Sequence, residues 1–115
     1  MVLTIIVNDA PYGLERTYNA MRLALELQKD DEVELQLFLM GDAVNCALKE
    51  QQTPQGYYNI GRMIKRVAEK SFVRACVTCI NTRGIKEEYF LEGVKAGDLA
   101  MLAEWVKMSD KVVNF

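Results

Sequence analysis

Two cysteines spaced three residues apart, Cys76 and Cys79, lie at the end of an apolar run, and an arginine-glycine pair, Arg83-Gly84, follows closely. The chain contains no histidine. That removes the usual general base, the usual metal partner of cysteine, and every Ser-His or Cys-His nucleophile pair. Thiolate sulfur is therefore the leading candidate for covalent chemistry, and the segment from Cys76 to Gly84 is where it would be carried out. The third cysteine, Cys46, stands between Asn45 and Ala47 in a helical stretch. It reads as a small buried filler, since free cysteine is among the most buried residue types.

Four chemistries compete for Cys76 and Cys79. A zinc site needs about four ligands, and the chain offers three cysteines and no histidine; an iron–sulfur cluster fails on the same count. No metal and no other cofactor is expected. A thioredoxin-like dithiol has this spacing, but it needs a strand that passes directly into a helix. Asn81-Thr82-Arg83-Gly84 interrupts, which places the next helix start near Lys86, and the only prolines are Pro11 and Pro54. Both thiols could be apolar fillers, although Arg83 places positive charge nearby, which favours the thiolate. The fourth chemistry is persulfide relay, in which a thiolate accepts a sulfane sulfur and passes it on. It needs an accessible thiolate, donors for the persulfide anion and a docking surface, but neither histidine nor metal.

The elements that must hold these thiols alternate between strand and helix. Val2 to Val7 is an apolar run suited to a central strand, and it ends in the turn formers Asn8 to Gly13. Leu14 to Lys29 has helical spacing, with Leu14, Tyr18, Met21 and Leu25 on one stripe. Val33 to Met40 alternates with period two. Gly41-Asp42 opens a short helix through Leu48, with Asp42 as its N-cap, and Gln51 to Gly56 is a polar loop. Ile60, Met63, Ile64 and Val67 mark a third helix, and Phe72 to Thr78 a strand that delivers both thiols to its end. A helical turn over Glu87 to Leu91, an extended piece at Gly93 to Gly97, a helix capped by Asp98 and a final strand, Lys111 to Phe115, complete the chain.

This order, with crossovers long enough for parallel pairing, predicts an open α/β sheet with helices on both faces. Ligands in such folds gather at the carboxyl ends of the strands. Three loops should meet there: Asn8 to Gly13, Met40 to Asp42, and Cys76 to Arg83. The chain of 115 residues fits one domain spanning 1–115. Its formal charge is −2, and no basic run exceeds Lys65-Arg66, so no nucleic-acid partner is expected. No apolar run approaches the ~20 residues that span a bilayer, and the N-terminus reads as a strand rather than a signal peptide. An odd cysteine count without an export signal predicts reduced thiols in a cytoplasmic protein. The last helix sets Leu99, Leu102, Ala103 and Val106 on its core stripe. It carries a second apolar line, Met101, Trp105 and Met108, which predicts burial against another subunit.

Taken together, Ala10-Pro11-Tyr12-Gly13, Leu37-Phe38-Leu39-Met40 with Asp42-Ala43-Val44, and Gly56-Tyr57 before Asn59-Ile60 form one pattern with three further features. These are Cys76-x-x-Cys79, Arg83-Gly84-Ile85, and Ala103-Glu104-Trp105 before Asp110-Lys111-Val112. The pattern resembles the DsrE/DsrF-like family, and most closely its YchN-type members, over nearly the whole chain. The resemblance implies a three-layer α/β/α fold with a mainly parallel, five-stranded sheet, assembly into trimers or hexamers, and a site at the subunit boundary. Relay branches of the family place the active cysteine eight residues before the glycine of an Arg-Gly pair, the position of Cys76. By that resemblance the chain is a sulfur carrier or sulfurtransferase working between a donor and an acceptor protein. Cys76 would accept sulfur, Cys79 would be a resolving or second thiol, Arg83 and the backbone near Gly84 would stabilise the anion, and Asn8, Asp9 and Tyr12 would shape the pocket. A non-catalytic oligomeric module holding a small ligand, and a dithiol oxidoreductase, remain the alternatives.

Overall fold

Parallel pairing is found throughout the sheet. In the computed structural model, which describes residues 1–115, the elements are β1 (Val2–Val7), α1 (Glu15–Leu27), β2 (Glu34–Leu39), a 3₁₀ segment (Gly41–Ala47) and α2 (Ile60–Ala68). They continue as β3 (Phe72–Cys76), α3 (Val77–Thr82), a 3₁₀ turn (Glu87–Tyr89), β4 (Val94–Gly97), α4 (Leu99–Met108) and β5 (Lys111–Asn114). The five strands lie in the order β4-β3-β2-β1-β5, and every neighbouring pair is parallel.

The strand order decides which face each helix covers. Three successive crossovers, β1 to β2 to β3 to β4, step the same way across the sheet. Right-handed connections put all three on one face. The last crossover returns past three strands to place β5 beside β1, so the same rule carries α4 across the other face. The result is the expected three-layer α/β/α arrangement. It has one consequence for the site: β3 and β4 are neighbours, yet the chain leaves them toward opposite faces. Ligands of open α/β sheets gather at diverging exits of this kind, and Cys76 lies at this one, in register with Gly97.

β2 is buried from Leu35 to Leu39, as a central strand covered on both faces must be. Met21 and Ala24 of α1 and Ile60, Ile64 and Val67 of α2 belong to the same buried cluster. On the α4 face, Trp105 meets Phe38 edge-on with ring centroids 5.8 Å apart. A buried polar link reinforces this layer: the Thr4 hydroxyl donates to Gln36 Oε1 at 3.0 Å and lies 2.7 Å from the Ser109 hydroxyl. Asp98 caps α4 as expected, its carboxylate accepting from the Met101 N–H at 2.8 Å.

Three expectations are corrected. β3 stops at Cys76 rather than Thr78, and α3 begins at once at Val77 rather than near Lys86. The pairing register explains why: β2 runs out at Leu39 opposite Ala75, and β4 at Gly97 opposite Cys76. Beyond Cys76 no neighbouring strand can take the backbone hydrogen bonds, so the chain satisfies them by coiling. Asp42 caps nothing, because the 3₁₀ segment has Met40 at its N-cap position and no side-chain cap bond. The α4 helix is rolled relative to the expected stripe: Leu102 is buried and Trp105 half-buried, while Leu99 is 64% exposed and Val106 41%. Both lines are apolar, so periodicity alone cannot phase them. The contact of Trp105 with Phe38 does. No helix is long and apolar enough to cross a membrane.

Gly97, opposite Cys76, has no room for a side chain. A Cβ there would stand 3.0 Å from Met101 Sδ, 3.1 Å from Arg74 Cβ and 3.3 Å from Phe38 Cε2. Gly97→Ala is expected to cost about 1–3 kcal/mol, the usual range for overpacking. A urea unfolding curve checks it, and an unchanged midpoint would contradict this packing.

Candidate functional site

The thiols belong to a self-contained helical module. Cys76 is the last residue of β3 and the N-cap of α3, with φ −57° and ψ 123°, and no side chain caps that end. Six helical residues later the helix stops in a Schellman motif. Gly84 takes φ +66°, its N–H donates to Asn81 O at 3.2 Å, and the Ile85 N–H donates to Ile80 O at 2.9 Å. The eight-residue interval from Cys76 to Gly84 is thus the distance from N-cap to terminating glycine of a six-residue helix. Gly84 serves to end α3, and its N–H is already spent there. The open N–H groups of the module lie at the other end, in the turn that follows Cys76.

Cys79 occupies the third position of α3, on the turn above Cys76. Its sulfur accepts a hydrogen bond from the Gly41 N–H at 3.2 Å. Gly41 has φ +55°, and a Cβ on it would lie 3.5 Å from Asn8 O. The ends of β1, β2 and β3 therefore converge around Gly41, as the topology predicts. Arg83 closes the far side: Nε and Nη2 donate to Asp42 Oδ1 at 3.2 and 2.9 Å, and Nη1 donates to Cys79 O at 3.0 Å. Arg83 and Asp42 clamp the 3₁₀ segment to α3.

The first loop is occupied with structural work. Asn8 Nδ2 donates to Asn114 Oδ1 at 2.7 Å and to Phe115 O at 2.9 Å, tying the end of β1 to the C-terminus. Asp9 pairs with Arg16 at 3.0 Å, and its carbonyl accepts from Thr17. Tyr12 donates to Gln51 Oε1 at 2.7 Å and accepts from the Ile60 N–H at 3.1 Å, bracing the start of α2. Its ring stacks on Tyr58. Of the residues singled out from the sequence, Cys76, Cys79 and Arg83 share one module with Gly84 at its end. Asn8, Asp9 and Tyr12 lie on the neighbouring loop. The loop from Met40 to Asp42 was expected at this edge; the contact of Gly41 with Cys79 and the pairing of Asp42 with Arg83 were not. A glycine directly after a strand was a visible signal for the first; nothing local marks an ion pair whose members lie 41 residues apart.

Cys76 is buried, 6% exposed, and Cys79 is half-buried. Burial pushes the Cys79 thiol up, and the adjacent Cys76 thiol adds to this, while the Gly41 N–H and the Arg83 charge act the other way. Cys46 is fully buried, and desolvation pushes its thiol up to about 12. All three are free thiols. Iodoacetamide alkylation with site-resolved mass spectrometry should therefore leave Cys46 unmodified in the folded protein. The Cys79 rate should keep rising with pH beyond the point where a simple thiol levels off, because the thiolate is the reacting form. A Cys79 profile that levels off below that point would contradict this environment.

Comparison with known proteins places this site in context. The chain is 39% identical to the protein YchN of Escherichia coli (strain K12), over 98% of this chain and 97% of that protein. It is 38% identical to an uncharacterized protein of Methanopyrus kandleri, over 99% of this chain and 93% of that protein. The crystal structure of YchN from E. coli superposes with a TM-score of 0.91 at 40% identity, covering 98% of this chain and 97% of that one. The family model of the DsrE/DsrF-like family matches residues 1–115. With the sequence matched end to end and the same fold in a solved relative, the chain belongs to the DsrE/DsrF-like family.

Proposed function

We propose that this protein is a sulfur carrier of the cytoplasm in which Cys76 accepts a sulfane sulfur as a persulfide and surrenders it to an acceptor. The observation that carries this reading is the position of Cys76 at the N-cap of α3, where the chain leaves β3 and β4 toward opposite faces. The N–H groups of the first turn are the donors available to a persulfide anion, since oriented backbone amides stabilise negative charge at a helix start. Membership in a family with sulfur-relay branches supports the same chemistry. In the transfer, the Cys76 thiolate attacks the outer sulfur of a donor Cys–S–SH. A new S–S bond forms on Cys76, and the donor leaves as its thiolate. Arg83 steadies α3 through Asp42 and the Cys79 carbonyl; it acts on the site by positioning.

A second reading is favoured by one observation, the direct passage of β3 into α3 with cysteines at the N-cap and third helical positions. This is the arrangement that a thiol–disulfide pair needs. On this reading the Cys79 thiolate attacks Cys76 Sγ in the loaded protein. The Cys76–Cys79 bond forms, hydrosulfide leaves with the electron pair, and an external dithiol reduces the disulfide to reset the protein.

Intact-mass analysis after incubation with a sulfane-sulfur donor distinguishes the two. The carrier reading expects an increment of about 32 Da, one sulfur atom, on Cys76 in wild type and in Cys79→Ser, and none on Cys76→Ser. A persulfide that persists only in Cys79→Ser, with a Cys76–Cys79 disulfide in wild type, assigns the dithiol reading. No adduct in wild type or in Cys79→Ser would contradict both.

We further propose that the functional unit is a homo-oligomer, a trimer or hexamer. Leu99, Val106 and Met108 on α4 and Val112 on the edge strand β5 are exposed apolar groups, and a lone chain has no reason to collect them on adjoining elements. Sedimentation velocity at micromolar concentration should give a species of at least three chains, and a monomer would refute the assembly.

A further inference from the structure

Folding gathers positive charge at the end of the sheet away from the thiols. Around the turn that joins α2 to β3, three adjoining depressions of about 170, 350 and 260 Å³ are lined by Lys65, Arg66, Lys70, Arg74 and Lys95. None of these five cations has a carboxylate partner among the ion pairs of the protein. Only Glu69 and Glu92 offset them in the same lining, in a chain whose formal charge is −2. Lys65 and Arg66 have a folding reason to be there, because they sit in the last turn of α2 and complement its dipole. Arg74 donates from Nη1 to Val73 O at 2.9 Å and has no carboxylate partner; Lys95 has none either. They are register partners on β3 and β4, so two like charges face each other across neighbouring strands, an arrangement that destabilises a sheet.

The largest depression combines these cations with an aromatic plate. Phe72, two residues before Arg74 and on the same face of β3, is 51% exposed. The Arg74 guanidinium lies 5.6 Å from its ring centre. Lys70, Ser71 and Lys95 complete the wall. At about 350 Å³ the groove falls in the ~300–1,000 Å³ range of small-ligand sites. An exposed aromatic face beside several unpaired cations suits a flat ring carrying phosphates, with the base stacked and the anion neutralised.

We propose that this rim, at the amino ends of β3 and β4, binds a nucleoside phosphate, either free or as the terminal nucleotide of a single strand. Phe72 takes the base, and Lys70, Arg74 and Lys95 take the phosphates. The proposal is independent of the thiol chemistry. It departs from the expectation drawn from the linear sequence, where no basic run exceeds two residues, because the cations come from separate elements.

Calorimetric titration of the purified protein at low salt tests it, with ATP, inorganic triphosphate, a short 5′-phosphorylated RNA oligonucleotide and a polyglutamate peptide as probes. Saturable ATP binding is expected, weakened about tenfold by Phe72→Ala, as loss of one stacking contact implies, and retained in Phe72→Tyr. Lys70→Glu with Lys95→Glu should abolish it, and Phe72→Ala should leave triphosphate binding unchanged. Tighter binding of the oligonucleotide than of ATP assigns the strand end as the source, and the reverse assigns the free nucleotide. Three results overturn the proposal: no saturable binding of either nucleotide probe, binding indifferent to the substitutions, or polyglutamate and triphosphate binding as tightly as ATP. Circular dichroism of each variant, together with the Phe72→Tyr result, separates loss of the site from loss of the fold.

Discussion

The handedness of the crossovers is the constraint from which the site follows. Three right-handed steps in one direction and one long return fix the order β4-β3-β2-β1-β5. They oblige the chain to leave β3 and β4 toward opposite faces. Cys76 ends β3 at that divergence, opposite Gly97. Packing then sharpens what topology locates. Gly97 must lack a side chain because Met101, Arg74 and Phe38 already occupy the space. Phe38 in turn sets the rotation of α4 through Trp105.

Chemistry is layered on this frame by a helix just long enough for its purpose. α3 contains six residues, too few for stability from its own hydrogen bonds. It is held instead by its Schellman end, by the contact of Gly41 with Cys79, and by the Arg83–Asp42 pair. The interval from Cys76 to Gly84 is, in physical terms, the length of this module. The same anchoring separates the two thiols. Cys79 accepts from the Gly41 N–H and is pushed toward its neutral form by burial, while Cys76, the more buried of the two at 6% exposed, stands at the N-cap of the helix.

Much of the frame was legible in the sequence because the signals are local. Period-two alternation marks β2, the apolar run marks β1, Asp98 is an ordinary N-cap, and Ile60, Ile64 and Val67 show a helical stripe. The start of α3 was not legible. Val77 and Thr78 are β-branched and extend the strand pattern, and the residue in the capping position is a cysteine rather than one of the usual cap formers. What ends β3 is the exhaustion of its neighbours' pairing, a tertiary fact. Likewise the role of Asp42 depends on Arg83, 41 residues away. The roll of α4 depends on one aromatic contact, and the basic rim assembles from Lys70, Arg74 and Lys95, which no window of sequence contains together.

The central claim is that the β3–α3 junction makes Cys76, and not its neighbour, the seat of the carried sulfur. A crystal structure of the protein loaded with a sulfane-sulfur donor tests it most directly. The account predicts additional density for one sulfur bonded to Cys76 Sγ, with its outer atom within hydrogen-bonding distance of the backbone N–H groups of Val77 or Thr78. Additional sulfur on Cys79 with Cys76 unmodified, or on neither thiol, would contradict it.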